Sequence, residues 1–135
     1  MSGFTVTIFH NPGCGTSRNT VAMVKAAGYE PEVVEYLKSG WTRPQLEELL
    51  AAMDAKPRDI LREKGTPADE LGLLAPEVSD DVLLDAMIEH PVLVNRPIVA
   101  SPKGTRLCRP SELVFDLLER RPESFTKEDG EVVPL

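Results

Sequence analysis

At 135 residues, 41% hydrophobic and 27% charged, the chain has the size and composition of one soluble globular domain with one core. Its net charge of −7 argues against nonspecific binding to nucleic acid or to an anionic membrane surface. Apolar runs such as Val92-Leu93-Val94 are too short to span a bilayer. The opening Met1-Ser2-Gly3-Phe4-Thr5 has no basic stretch and no apolar core of a signal peptide, so a cytoplasmic location is expected.

Thr5-Val6-Thr7-Ile8-Phe9 alternates and is rich in β-branched residues, which predicts a strand. His10-Asn11-Pro12-Gly13 is a turn signal. A helix is predicted from about Gly15 to Ala27, stopping at Gly28. Glu32-Val33-Val34-Glu35-Tyr36 reads as a second strand, which completes a βαβ unit with parallel strands. The middle of the chain is helical. Thr42-Arg43-Pro44-Gln45 has the form of a capping box before Leu46-Glu47-Glu48-Leu49-Leu50. A short helix is predicted over Pro57 to Glu63, and another from Ser79-Asp80-Asp81 to Glu89. Strands return at Pro97 to Ala100 and Thr105 to Cys108, flanking the turn Ser101-Pro102-Lys103-Gly104. Pro110 opens a last helix, Ser111 to Glu119.

The order β-α-β, helical insert, β-β-α is that of an α/β, thioredoxin-like fold, a mixed central sheet with helices on both faces. A single domain over 1–135 is expected, with the helical insert at about 42–90. Pro122, Gly130 and Pro134 make the stretch from about Arg121 read as a loose tail.

Charge is unevenly placed. Residues 1–29 and 90–111 contain no Asp or Glu, so all 22 acids lie elsewhere. The acid-free stretches carry Arg18, Lys25, Arg96, Lys103, Arg106 and Arg109. Such segregation suits an anion site. It also suits buried strands and turns, which exclude acids anyway.

Cys14 falls between the first strand and the first helix. Free N–H groups at a helix N-terminus bind anions and lower a thiol's pKa, and an oxyanion-attacking thiolate needs both. His10, Ser17 and Arg18 are near in sequence. Cys14-Gly15-Thr16-Ser17 is C-x-x-S, so the loop has no resolving thiol for dithiol exchange. Cys14 to Arg18 is C-x3-R, which fails the C-x5-R spacing of a tyrosine-phosphatase loop. Cys108, the second thiol, reads as a core cysteine. With His10 and His90 as the only histidines, no metal site is expected.

The run His10-Asn11-Pro12-Gly13-Cys14-Gly15-Thr16-Ser17-Arg18-Asn19-Thr20 resembles the active-site loop of glutathione/glutaredoxin-coupled arsenate reductases. So do Asn95-Arg96-Pro97-Ile98-Val99, Gly104-Thr105-Arg106-Leu107-Cys108-Arg109-Pro110-Ser111-Glu112 and Phe125-Thr126-Lys127-Glu128-Asp129-Gly130. The resemblance covers nearly the whole chain. It implies reduction of arsenate to arsenite, with Cys14 as nucleophile and Arg62, Arg96 and Arg109 binding the substrate. It also implies that His10 and Ser17 help hold the thiolate. Glutathione would be cosubstrate and glutaredoxin a partner, with no bound cofactor, no nucleic acid and no membrane. Arg62 comes from the resemblance alone, since Ile60-Leu61-Arg62-Glu63 by itself reads as a solvated helix charge. The tail after Gly130 is shorter than the family's. An internal thiol cascade needs three cysteines, and the chain has two. Thioredoxin-like folds place a cis-proline opposite the cysteine, so a cis Arg96–Pro97 bond is expected.

Two other classes compete. One is a redox-responsive transcription regulator similar to Spx, which Ser17 in place of a second cysteine and the arginine set count against. The other is a monothiol glutathione-dependent protein oxidoreductase, which has no need of three cations. A relative that folds without turning over is a third possibility.

Overall fold

A computed structural model describes residues 4–135. Residues 1–3, on which part of the signal-peptide expectation rests, lie outside the described residues. The chain divides into two compact units: residues up to Glu35 together with Arg96–Leu135, and Tyr36–Asn95.

The first unit holds a four-stranded mixed sheet. Strand β1 (Thr7–His10) pairs in parallel with β2 (Glu32–Glu35) and antiparallel with β3 (Ile98–Ser101). Strand β4 (Gly104–Leu107) pairs antiparallel with β3, so the order is β2-β1-β3-β4. This is the thioredoxin-like arrangement expected from the sequence. Helix α1 (Gly15–Ala26) makes the parallel crossover. It ends where Gly28 takes φ +95°, a conformation that side-chain-bearing residues avoid. Met23 and Val24 of α1 pack with Ile8, Val99, Val114 and Phe115 in one buried cluster. Each such side chain contributes roughly 1.5–3 kcal/mol when fully buried.

Three features of this unit differ from expectation by more than one residue; α1, β2, β3 and β4 shift by one at most at either end. Strand β1 runs two residues later at its start and reaches His10, placing that residue in the ladder opposite Glu35. The last helix is a 3-10 helix, Ser111–Leu117, rather than an α-helix to Glu119. Its buried residues are Ser111, Val114, Phe115 and Leu117; three of these lie at the three-residue spacing of a 3-10 turn, and Phe115 adds a second contact beside Val114. The stretch expected to be a loose tail forms an antiparallel hairpin, β5 (Ser124–Thr126) with β6 (Val132–Pro134). Phe125 packs on the core cluster and Val133 is buried. Two strands of three residues are too short to show alternation in sequence, and the hairpin is held by contacts distant along the chain.

The second unit contains α2 (Tyr36–Ser39), α3 (Arg43–Met53) and α4 (Asp80–Glu89). The Thr42 capping box is present: Gln45 N donates to Thr42 Oγ1 (3.3 Å) and Thr42 N to Gln45 Oε1 (3.4 Å). Ser79 caps α4 by accepting from Val82 N. The unit is wider than the expected insert because Tyr36 leaves β2 to begin α2, its hydroxyl donating to Val94 O at 2.7 Å. The predicted helix over Pro57 to Glu63 is only a 3-10 turn, Pro57–Ile60. Leu61 then bridges Val94, and Arg62 N bonds Leu93 O, so extended pairing replaces further helix.

Candidate active site

The cysteine loop is built by local hydrogen bonding. Asn11 Oδ1 accepts from Gly13 N at 2.8 Å and Asn11 O accepts from Cys14 N at 3.0 Å, which turns the chain sharply out of β1. Cys14 is then the N-cap of α1, with extended backbone angles, and its carbonyl accepts the first helical bond from Arg18 N. The first turn of α1 carries no acid, so its partial positive charge faces the sulfur unopposed by a carboxylate of its own.

Cys14 is buried, and burial is the largest influence on its thiol, pushing its pKa up. The Ser17 backbone N–H and the guanidinium groups of Arg96 and Arg109 together outweigh it and bring the pKa down to about 7. Arg109 Nη1 lies 3.7 Å from Cys14 Sγ and donates to Arg96 O at 2.9 Å. Arg96 immediately precedes β3, and its bond to Pro97 is cis, as expected; Arg109–Pro110 is also cis.

Ser17 acts on the sulfur through its amide, while its hydroxyl faces the other way. Ser17 Oγ accepts from Asn11 N (3.1 Å) and lies 2.6 Å from His10 Nδ1. The hydroxyl donates to Nδ1 when the imidazole carries its proton on Nε2. Burial lowers the pKa of His10; Glu35 opposes that and Arg18 reinforces it. His10 is thus neutral at pH 7.

The resulting site pairs one acidic thiol with two guanidinium groups at the start of a helix. The ArsC family model matches residues 9–117, which include every one of these side chains. The chain belongs to the ArsC family. It is 60% identical over 130 residues to an arsenate reductase of Rhizobium meliloti, covering 96% of this chain and 93% of that one. It is 58% identical over 129 residues to an arsenate reductase of Synechocystis, covering 95% and 92%. The solved arsenate reductase from Vibrio cholerae is 36% identical with a TM-score of 0.81, covering 87% of this chain and all of that one.

The remaining charged residues of this ArsC chain divide clearly. Arg62 belongs to the second unit, where Nε donates to Lys64 O (3.0 Å) and Nη1 to Asn95 Oδ1 (3.2 Å). Arg18 forms a two-pronged pair with Glu128, and Arg106 pairs with Asp116. Both acids come from outside the acid-free stretches: Glu128 lies 110 residues from Arg18, and Asp116 ten residues from Arg106. Cys108 is fully buried, its Sγ donating to Arg106 O at 3.7 Å. Burial, aided by Asp116 and opposed by Arg106, pushes its thiol up to about 12. Among the described residues no three His, Cys, Asp or Glu side chains gather where they would hold a metal ion. No helix of the described residues is long and apolar enough to cross a membrane. Sequence reasoning missed Glu128; the Phe125–Gly130 run that shares the resemblance was the available signal, with nothing local to say what it meets.

Proposed function

We propose that this chain reduces arsenate to arsenite, with Cys14 as nucleophile and external thiols as reductant. The observation that carries the reading is Cys14 itself, acidified to about 7 and flanked by Arg96 and Arg109. Its family membership and the names of its relatives support the same substrate.

Arsenate near neutral pH is a tetrahedral dianion. Arg96 and Arg109 offer planar donor forks that suit its oxygens, and the resemblance adds Arg62 as the third cation. The Cys14 thiolate attacks arsenic and an oxygen leaves as water once protonated, forming a sulfur–arsenic(V) bond. Glutathione displaces a second oxygen in the same manner. A glutaredoxin thiolate then attacks the glutathione sulfur. The arsenic–sulfur electron pair stays on arsenic, which goes from V to III, and glutaredoxin leaves as a mixed disulfide with glutathione. Hydrolysis releases arsenite and restores the Cys14 thiolate. His10 contributes by fixing Ser17, whose N–H stabilises that thiolate at each return. Phosphate has the same charge and shape, so selectivity comes from the covalent step, and phosphate binds without reacting.

The environment of Cys108 supports an external reductant. A fully buried thiol with a pKa of about 12 is a poor resolving group at neutral pH. The test is arsenate-dependent NADPH oxidation with glutathione, glutaredoxin and glutathione reductase, run beside a thioredoxin system. Turnover only in the first mixture is expected. Turnover only with thioredoxin overturns the glutathione step but keeps the reaction. No turnover in either, from folded protein, returns the weight to the regulator or the protein oxidoreductase.

A further inference from the structure

We propose that Glu128, on the C-terminal hairpin, is a positioning residue that holds the Cys14 loop in shape through Arg18. The inference rests on Cys14 being the nucleophile of the proposed reaction.

The guanidinium of Arg18 is bonded on three sides. Nε and Nη2 donate to Glu128 Oε2 (3.1 Å) and Oε1 (2.7 Å), and Nη1 donates to Pro12 O at 2.8 Å. Pro12 precedes Cys14 and Arg18 follows it, so this one planar group bridges the two ends of the loop that presents the sulfur. A guanidinium is rigid: fixing two of its nitrogens on a carboxylate fixes the direction of the third. Glu128 thereby decides where Nη1 points and keeps the Pro12 carbonyl in place.

Glu128 is itself held by an anchored backbone. Its N–H donates to Asn19 Oδ1 at 3.0 Å on the second turn of α1. Neighbouring Lys127, with its side chain only 11% exposed, pairs with Glu112 at 2.9 Å. Phe125 sits against the core and Val133 is buried. The carboxylate also packs closely on the loop: a Cβ at Gly15 would stand 3.0 Å from Glu128 Oε1 and 3.6 Å from Arg18 Nη2. A methyl group beside the nucleophile would therefore push the Glu128 carboxylate back by a few tenths of an ångström. The pair's side chains are both 45% exposed, so its effect on stability is small. Its effect on geometry need not be, because a misplacement of about 1 Å at a reacting centre can slow a reaction by about a hundredfold.

The experiment compares wild type with Glu128→Gln, Arg18→Lys and the double variant. Glu128→Gln keeps the shape and removes the charge; Arg18→Lys keeps the charge and removes the fork. Three readouts are taken: amide hydrogen exchange over residues 13–18, the pH profile of Cys14 alkylation, and arsenate turnover. Faster exchange confined to residues 13–18 is expected in both single variants, with melting temperature nearly unchanged. Turnover should fall at least about fivefold, with the double variant no worse than either single. The alkylation midpoint of Glu128→Gln should not rise, since an unmasked Arg18 still favours the thiolate. Wild-type exchange and turnover in Glu128→Gln would reduce the pair to a surface salt bridge and overturn the proposal. So would a drop in melting temperature with exchange raised throughout, which marks a structural role only. If wild type fails to reduce arsenate, the exchange and alkylation arms still decide this inference separately from the proposed activity.

Discussion

The acidity of Cys14 can be tested by alkylation across pH. At pH 7 a thiol with a pKa of about 7 is about half thiolate, whereas one at 9.0 is about one part in a hundred. The gain in reactive fraction is thus about fiftyfold. It is partly offset, because a less basic sulfur is a weaker nucleophile, by about sixfold to tenfold over that span. The net advantage at pH 7 is about fivefold to eightfold, and it vanishes near pH 8, where the two factors cancel. Burial of Cys14 lowers the absolute rate at every pH, so the midpoint carries the information. Cys108 at about 12 is thiolate in about one molecule in 10⁵ at pH 7, and it is fully buried as well. Limiting iodoacetamide from pH 5.5 to 9.5, with the adduct located by mass spectrometry, should give one titration with a midpoint near 7 and all label on Cys14. A midpoint near that of a free thiol, or comparable labelling of Cys108 in folded protein, would refute the electrostatic reasoning.

Both thiols leave marks on stability, with opposite signs. Cys14 has a depressed pKa, so between about 7 and 9.0 the unfolded chain holds a proton the native state has lost, and stability rises with pH. Its contribution is full above 9.0 and gone below about 7. Cys108 has a raised pKa, so its contribution is full below 9.0 and is lost as pH climbs towards about 12. Urea denaturation across pH should show both slopes, and Cys108→Ala should remove the alkaline one. Arg109→Ala removes the contact with Cys14 Sγ and the bond to Arg96 O. A hydrogen bond to a charged group is worth about 1.5–3 kcal/mol, so kcat/KM for arsenate should fall about tenfold to a hundredfold, with the alkylation midpoint moving up. In the second unit, Tyr36→Phe leaves the Val94 carbonyl without its 2.7 Å donor. It should cost roughly 1–3 kcal/mol in urea denaturation.

The parts of the fold that sequence made legible are the parts held by local chemistry. The Thr42-Arg43-Pro44-Gln45 box forms as written because both of its bonds lie within one turn. Cys14 lies at a helix N-terminus because a proline–glycine turn follows a β-branched strand. Arg96 and Arg109 stood out as cations in acid-free stretches, and both meet the sulfur. The same signal misled at Arg18, since its partner Glu128 lies 110 residues away. The hairpin was illegible for the same reason: Phe125 and Val133 pair with each other and Phe125 packs against the distant core cluster, and neither shows that locally. The resemblance implies that Ser17 helps hold the thiolate, without saying through which group. In the fold its backbone N–H takes that role and its hydroxyl joins His10 and Asn11, an orientation that only the helix start determines.

The most direct test of the central claim is arsenite formation from arsenate by the purified chain beside Cys14→Ser, with glutathione and glutaredoxin supplied to both. The account requires arsenite from wild type and none above background from Cys14→Ser. Equal arsenite from the two proteins, or none from a folded wild type whose Cys14 is alkylated with a midpoint near 7, would contradict it.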